Sequence, residues 1–206
     1  MKIYDITMPI SAQTAPFPGD TPFGQEWVLT MREGGSCNVS KITMSPHLGT
    51  HADAPYHYHD QGATTEQADL NLYIGEALVV DVPSMPLVTL EFVQGLDVTG
   101  VQRLLFKTSS FPDPHVFSTN FTAIAPEAAL YLAEQGVRLI GIDTPSVDPA
   151  DSKTLDAHNA FFQSGLHILE NLRLDAVPQG RYELIALPLH LVGSDASPVR
   201  AILRQL

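Results

Sequence analysis

The chain has 206 residues, 44% of them hydrophobic and 17% charged, enough for one domain spanning residues 1–206 that buries roughly 70% of its unfolded surface. Eleven Lys and Arg against 23 Asp and Glu give a formal net charge of −12, so nucleic-acid phosphates and anionic lipid surfaces are repelled on average and drop out as expected partners. The apolar content is that of an ordinary globular protein, which excludes intrinsic disorder.

The opening MKIYDITMPI has no basic segment ahead of a long apolar one, and no later stretch approaches the roughly 20 apolar residues of a membrane helix, so the cytosol is the expected compartment. Short runs rich in β-branched and apolar residues predict strands at Lys2 to Thr7, Glu26 to Met31 and Val39 to Met44. Cys37, between the last two, is the only cysteine; an intrachain disulfide and cysteine-built zinc sites are excluded, and any metal must sit on His, Asp and Glu. Further strands are predicted at Ala77 to Val82, Arg103 to Lys107, Arg138 to Ile142, Tyr182 to Leu187 and Val199 to Leu203. Helices are fewer. The clearest starts at Pro126, runs through EAALYLAEQ and stops at Gly136; others are expected from Thr89 to Leu96 and from Leu155 to Gln163, with Gly165 ending the last. Prolines and glycines are scattered between these segments as turn punctuation, with no repeat or linker. The fold class is a strand-rich α/β domain.

Four of the eight histidines, His47, His51, His57 and His59, fall in SPHLGTHADAPYHYH together with Asp53. Nitrogen and carboxylate donors together suit a borderline-soft divalent metal. In a flat strand the Cα atoms of His47 and His51 would lie about 13 Å apart, too far for two imidazoles to share an ion comfortably. Two local geometries cure this. A turn at Gly49 brings them together, with His51 and Asp53 then on one side of an extended segment; alternatively Ser45 caps a helix beginning at Pro46, which sets His47 and His51 at i, i+4. Either way His47, His51 and Asp53 converge as metal ligands. Three protein ligands leave an open position for water, whose pKa an ion lowers to about 7. His57, just past Pro55, is the candidate proton carrier, since imidazole titrates near neutral pH. Nothing distinguishes His59 from a surface residue.

HLGTHADAPYH resembles the HxGTHxDxPxH signature of the cyclase superfamily of metal-dependent hydrolases. The stretch RLIGIDTPSVDPADSKTLDAHNAFFQSGLHILENL, the amino-terminal PFPGDTPF and the tail YELIALPLHLVGSDASPVRAILR narrow the resemblance, nearly end to end, to the bacterial kynurenine formamidases. The resemblance implies a swivelling β/β/α fold and a homodimer. It implies two zinc ions per subunit, one on His47, His51 and Asp53, the other bridged by Asp53 and completed by His158 and Glu170, with manganese as a possible substitute. It implies that His57 is proton donor and acceptor in the hydrolysis of N-formyl-L-kynurenine to L-kynurenine and formate. Read from the residues alone, His158 lies in a predicted helix and Glu170 in HILENL, a predicted strand; a helical His167 and Glu170 pair at i, i+3 competes with them. Phe17 stands where the family places a substrate-contacting tryptophan, and reads equally as a buried loop anchor. Asp143, Ser146, Asp148, Asp151, Ser152, Lys153 and Thr154 crowd a loop after a predicted strand; they suit a substrate head group, and DPADSK suits still better the turn and cap of the following helix. His115 and His190 read as structural. An isatin-hydrolase-like enzyme acting on cyclic amides or esters, or a metal-binding protein without turnover, are the alternatives.

Overall fold

The computed structural model describes residues 1–206. Its strands are β1 (Ile3–Asp5), β2 (Gly24–Leu29), β3 (Val39–Thr43), β4 (His51–Asp53), β5 (Ile74–Asp81), β6 (Leu87–Val88), β7 (Arg103–Lys107), β8 (Ala123–Ile124), β9 (Leu139–Ile142), β10 (His167–Glu170), β11 (Gly180–Ile185), β12 (Ala196–Pro198) and β13 (Ile202–Gln205). Its helices are α1 (Leu90–Gln94), α2 (Pro126–Glu134) and α3 (Asp156–Ser164). Nine strands form one sheet in the order β1, β13, β11, β5, β7, β9, β10, β4, β12.

That order forces the sheet to curl. If it were flat, β12 and β13 would be seven strand spacings apart, roughly 34 Å. Only Val199 to Ala201 connect them, and that link reaches at most about 14 Å. The sheet therefore rolls until its edges meet: Ile6 N–H donates to Ala201 O (3.0 Å), Met8 N–H to Thr50 Oγ1 (2.7 Å) and Val199 N–H to Thr50 O (3.0 Å). Pro198, which cannot donate to a ladder, sits on the edge strand β12 where no donor is needed.

The parallel centre, β5, β7, β9 and β10, is buried on both faces. Leu104, Phe106, Ile140, Ile142 and Ile168 pack outward against Ala128, Ala129, Leu132, Ala160 and Phe161 of α2 and α3. Their neighbours Leu105, Leu139 and Leu169 point into the roll, against Val79, Leu184 and Leu203. Period-2 alternation between two apolar environments explains why these strands read as nearly continuous hydrophobic runs.

Arg103 to Lys107 is a strand over the predicted residues, and the helix from Pro126 forms and ends before Gly136, which takes a left-handed φ of +95°. The third helix begins one residue later than expected because Leu155 adopts φ +50°, outside the helix. The last predicted strand is displaced: Val199 to Ala201 make the crossing between sheet edges, and regular pairing resumes only at Ile202. β2 and β3 pair with each other outside the main sheet, and every residue of β2 is exposed. No helix is long and apolar enough to cross a membrane.

Candidate metal and catalytic site

The local geometry of the histidine segment is set at Gly49. Its φ of +72° makes the turn that a side chain would resist, and no helix forms from Ser45. The chain then extends as β4, so His51 and Asp53 lie on one face while Ala52 enters the core within the roll. Antiparallel pairing sets Glu170 of β10 opposite His51, on that same face. His158 belongs to the buried stripe of α3, which packs over this face. His167 and Glu170 are three residues apart in a strand and point to opposite faces, so they do not pair.

The five side chains converge. Asp53 Oδ1 is 3.1 Å from His47 Nδ1 and 3.2 Å from His51 Nε2, and its Oδ2 is 3.5 Å from His158 Nε2. Glu170 reaches both sides, with Oε2 3.3 Å from His51 Nε2 and Oε1 3.8 Å from His158 Nε2. His51 Nε2, both Asp53 oxygens and His158 Nε2 are nevertheless buried without a hydrogen-bond partner. Each such orphan costs about 1–3 kcal/mol, and a cluster of them, close together but misaligned for one another, fits a set of donors aimed at a shared cation. The residues present thus fit divalent metal.

Each ligand-type imidazole is oriented from behind. His51 Nδ1–H donates to Gly49 O (2.9 Å), and His158 Nδ1–H to Asp148 Oδ2 (2.6 Å). Asp148 also accepts from the backbone N–H of Ala157 and His158, capping α3, so the DPADSK segment does serve as a helix cap. Burial opposes protonation of His51, but Asp53 and Glu170 outweigh it and push its pKa up to about 10. His158 is pushed up to about 10 as well, burial being overcome by Asp148 and Asp53. Asp53 is held well below the usual carboxylate range: burial works against ionisation, and the three imidazoles prevail.

A cavity of about 350 Å³ opens over these groups. His57, at the end of the single helical turn Pro55–His57, lies on its wall with 33% of its side chain exposed, and burial lowers its pKa against the pull of Asp53. Phe17 lines the same cavity and meets Phe117 edge-on, ring centres 5.0 Å apart. Of the crowded polar loop, only Ser146 reaches the lining; Asp143 instead binds the backbone of Thr108 and Ser109. His59 is exposed and stacks on Phe162. Sequence reasoning missed Asp20, Phe111, Phe117, Asn171 and Asp195, all on the cavity wall. The aromatic spacing of FPDPHVF was the available signal for two of them.

The Cyclase family model matches residues 4–149. A kynurenine formamidase of Bacillus cytotoxicus is 48% identical over 202 residues, 98% of this chain and 97% of that protein. A solved structure described as a predicted metal-dependent hydrolase from Bacillus stearothermophilus is 34% identical, with a TM-score of 0.85 over 98% of this chain and 97% of that one. Isatin hydrolase A from Labrenzia aggregata shares the fold, with a TM-score of 0.82 at 22% identity over 98% of this chain and 93% of that one. With close relatives aligned from end to end and the family model spanning most of its length, the chain belongs to the cyclase family and, within it, to the kynurenine formamidases.

Proposed function

We propose that the enzyme hydrolyses N-formyl-L-kynurenine to L-kynurenine and formate, with His47, His51 and Asp53 holding one divalent ion and Asp53, His158 and Glu170 a second. The observation that carries this reading is the split carboxylate: Asp53 turns one oxygen to His47 and His51 and the other to His158, as a bridging ligand must. When bound, the ions supply Lewis acidity, acidifying water to a pKa of about 7 and polarising a carbonyl. His57 moves the proton. Its lowered pKa keeps the imidazole neutral at neutral pH, so it can accept a proton from water and return it to the aniline nitrogen as the formyl C–N bond breaks. Phe17 and Phe117 offer ring edges and faces to the aryl group. Of the carboxylates on the cavity wall, Glu170 and Asp195 belong to the histidine cluster, so Asp20, which accepts from the Ser45 hydroxyl, is assigned to the substrate's ammonium; no lysine or arginine lines the cavity.

Zinc is the ion that the imidazole and carboxylate donors suit, with manganese accepted by the same set. The expected assembly is a homodimer; the exposed Trp27, Val28 and Ile42 on the protruding β2 and β3 hairpin are the apolar surface that supports it. A cytosolic setting accords with the single, unpaired Cys37. The test is a continuous absorbance assay of zinc-loaded protein with N-formyl-L-kynurenine, beside a chelated sample. Turnover abolished by chelation is expected. Bound metal without turnover sinks the substrate assignment.

A further inference from the structure

We propose that Asp195 is a positioning residue, a carboxylate shared between His47 and His57 that fixes the metal-facing nitrogen of the first and the proton-carrying ring of the second. The inference rests on the ligand and acid–base roles proposed above. Asp195 Oδ2 lies 3.1 Å from His47 Nε2 and 3.9 Å from His57 Nδ1, and the two rings stand 4.1 Å apart between centres. An acceptor at His47 Nε2 places the proton there and leaves the Nδ1 lone pair turned to Asp53 Oδ1, at 3.1 Å. The same negative charge beside His57 Nδ1 favours the proton on that nitrogen and frees Nε2 for the reacting atoms.

The backbone around Asp195 is held as a positioning role requires. Thr65 donates to Ser194 O from both its N–H and its hydroxyl, each at 3.0 Å, and Gly193 N–H donates to Glu66 Oε2 at 3.0 Å. Ala54 N–H donates to Asp195 O at 2.9 Å, so the peptide that follows Asp53 and leads into the His57 turn also anchors Asp195. The side chain itself bonds to no backbone group; its only hydrogen bond is to His47. Aspartates in turns commonly cap a nearby backbone N–H, and this one instead turns to His47. With Gly49 O behind His51 and Asp148 behind His158, Asp195 completes the set of outer partners to the imidazoles.

The test compares zinc-loaded parent protein with Asp195→Asn and Asp195→Ala. Zinc affinity is read by competition with a chromophoric chelator, and kcat and KM with N-formyl-L-kynurenine. Expected are a loss of zinc affinity of about 10–100-fold and a fall in kcat of about 10–100-fold, with KM held within about threefold and the melting temperature of the metal-free protein little changed. Affinity and kcat both within about twofold of the parent overturn the proposal, as does a rise in KM alone, which makes Asp195 a substrate contact. These outcomes leave the hydrolytic reading intact. A parent protein that neither binds zinc nor turns over sinks that reading, and the role of Asp195 with it.

Discussion

Removing Asp148 tests whether one carboxylate both caps α3 and holds the His158 imidazole. Its Oδ1 accepts from Ala157 N–H at 2.9 Å, and its Oδ2 accepts from His158 N–H at 3.1 Å and from His158 Nδ1–H at 2.6 Å. Asp148→Ala loses the cap, about 1 kcal/mol, and strands a buried imidazole donor, about 2 kcal/mol more. The sum of about 3 kcal/mol corresponds to a melting point lower by roughly 9 °C in a chain of this size. His158 is also released to rotate, so zinc affinity falls by about 10–100-fold. Asp148→Asn keeps the shape but turns an amide donor toward other donors, and is expected between parent and Ala. Calorimetry of chelated protein gives the first quantity and chelator competition the second. A melting point within about 2 °C of the parent, with zinc affinity within about twofold, refutes the reasoning.

His57→Ala is expected to keep its zinc and lose kcat by about two to four orders of magnitude; loss of metal instead makes His57 a ligand. The pH dependence of the metal-free protein follows from His51 and His158, both pushed up to about 10 from 6.5. A raised folded pKa contributes stability that is full below about 6.5 and lost as pH rises through about 10, so the metal-free melting point falls across that window. Metal displaces the same protons. Zinc binding near neutral pH should therefore release protons, counted by calorimetry in buffers of different ionisation enthalpy, and zero release contradicts the assignment. Gly141→Ala sets a Cβ 2.6 Å from side-chain carbons of both Leu105 and Leu172 inside the roll, and a destabilisation of about 1–3 kcal/mol is expected in the denaturant midpoint. An unchanged midpoint means that the interior is looser than this packing.

What the sequence made legible was whatever lies close along the chain. His47, His51 and Asp53 are brought together by one glycine turn and one short strand, and their residue types alone announce metal chemistry. His158 and Glu170 join them through packing of α3 and pairing of β10 with β4, contacts between segments about 100 residues apart that no local pattern encodes; only the family resemblance named them. Strands of five or more residues were visible as β-branched runs, whereas β4, β6, β8 and β12 have two or three residues each and carry no periodicity to read. Trp27, Val28 and Ile42 look like core residues in sequence, yet they lie on an exposed hairpin, because alternation specifies faces without saying what covers them.

The outer partners of the three imidazoles differ in a way that matches what each end of the site has to do. His51 is held by a backbone carbonyl and His158 by a carboxylate that is itself 3% exposed, both in buried surroundings, where a bound cation would gain most from low dielectric. His47 is held by Asp195, whose side chain is 42% exposed on the cavity wall beside His57. His57, the proposed proton carrier, stands at that more exposed end with 33% of its side chain accessible, whereas Nε2 of both His51 and His158 is buried. Under the proposed roles, the buried ligands and the more exposed proton carrier are joined through His47, whose Nε2 meets the one carboxylate that also lies beside His57.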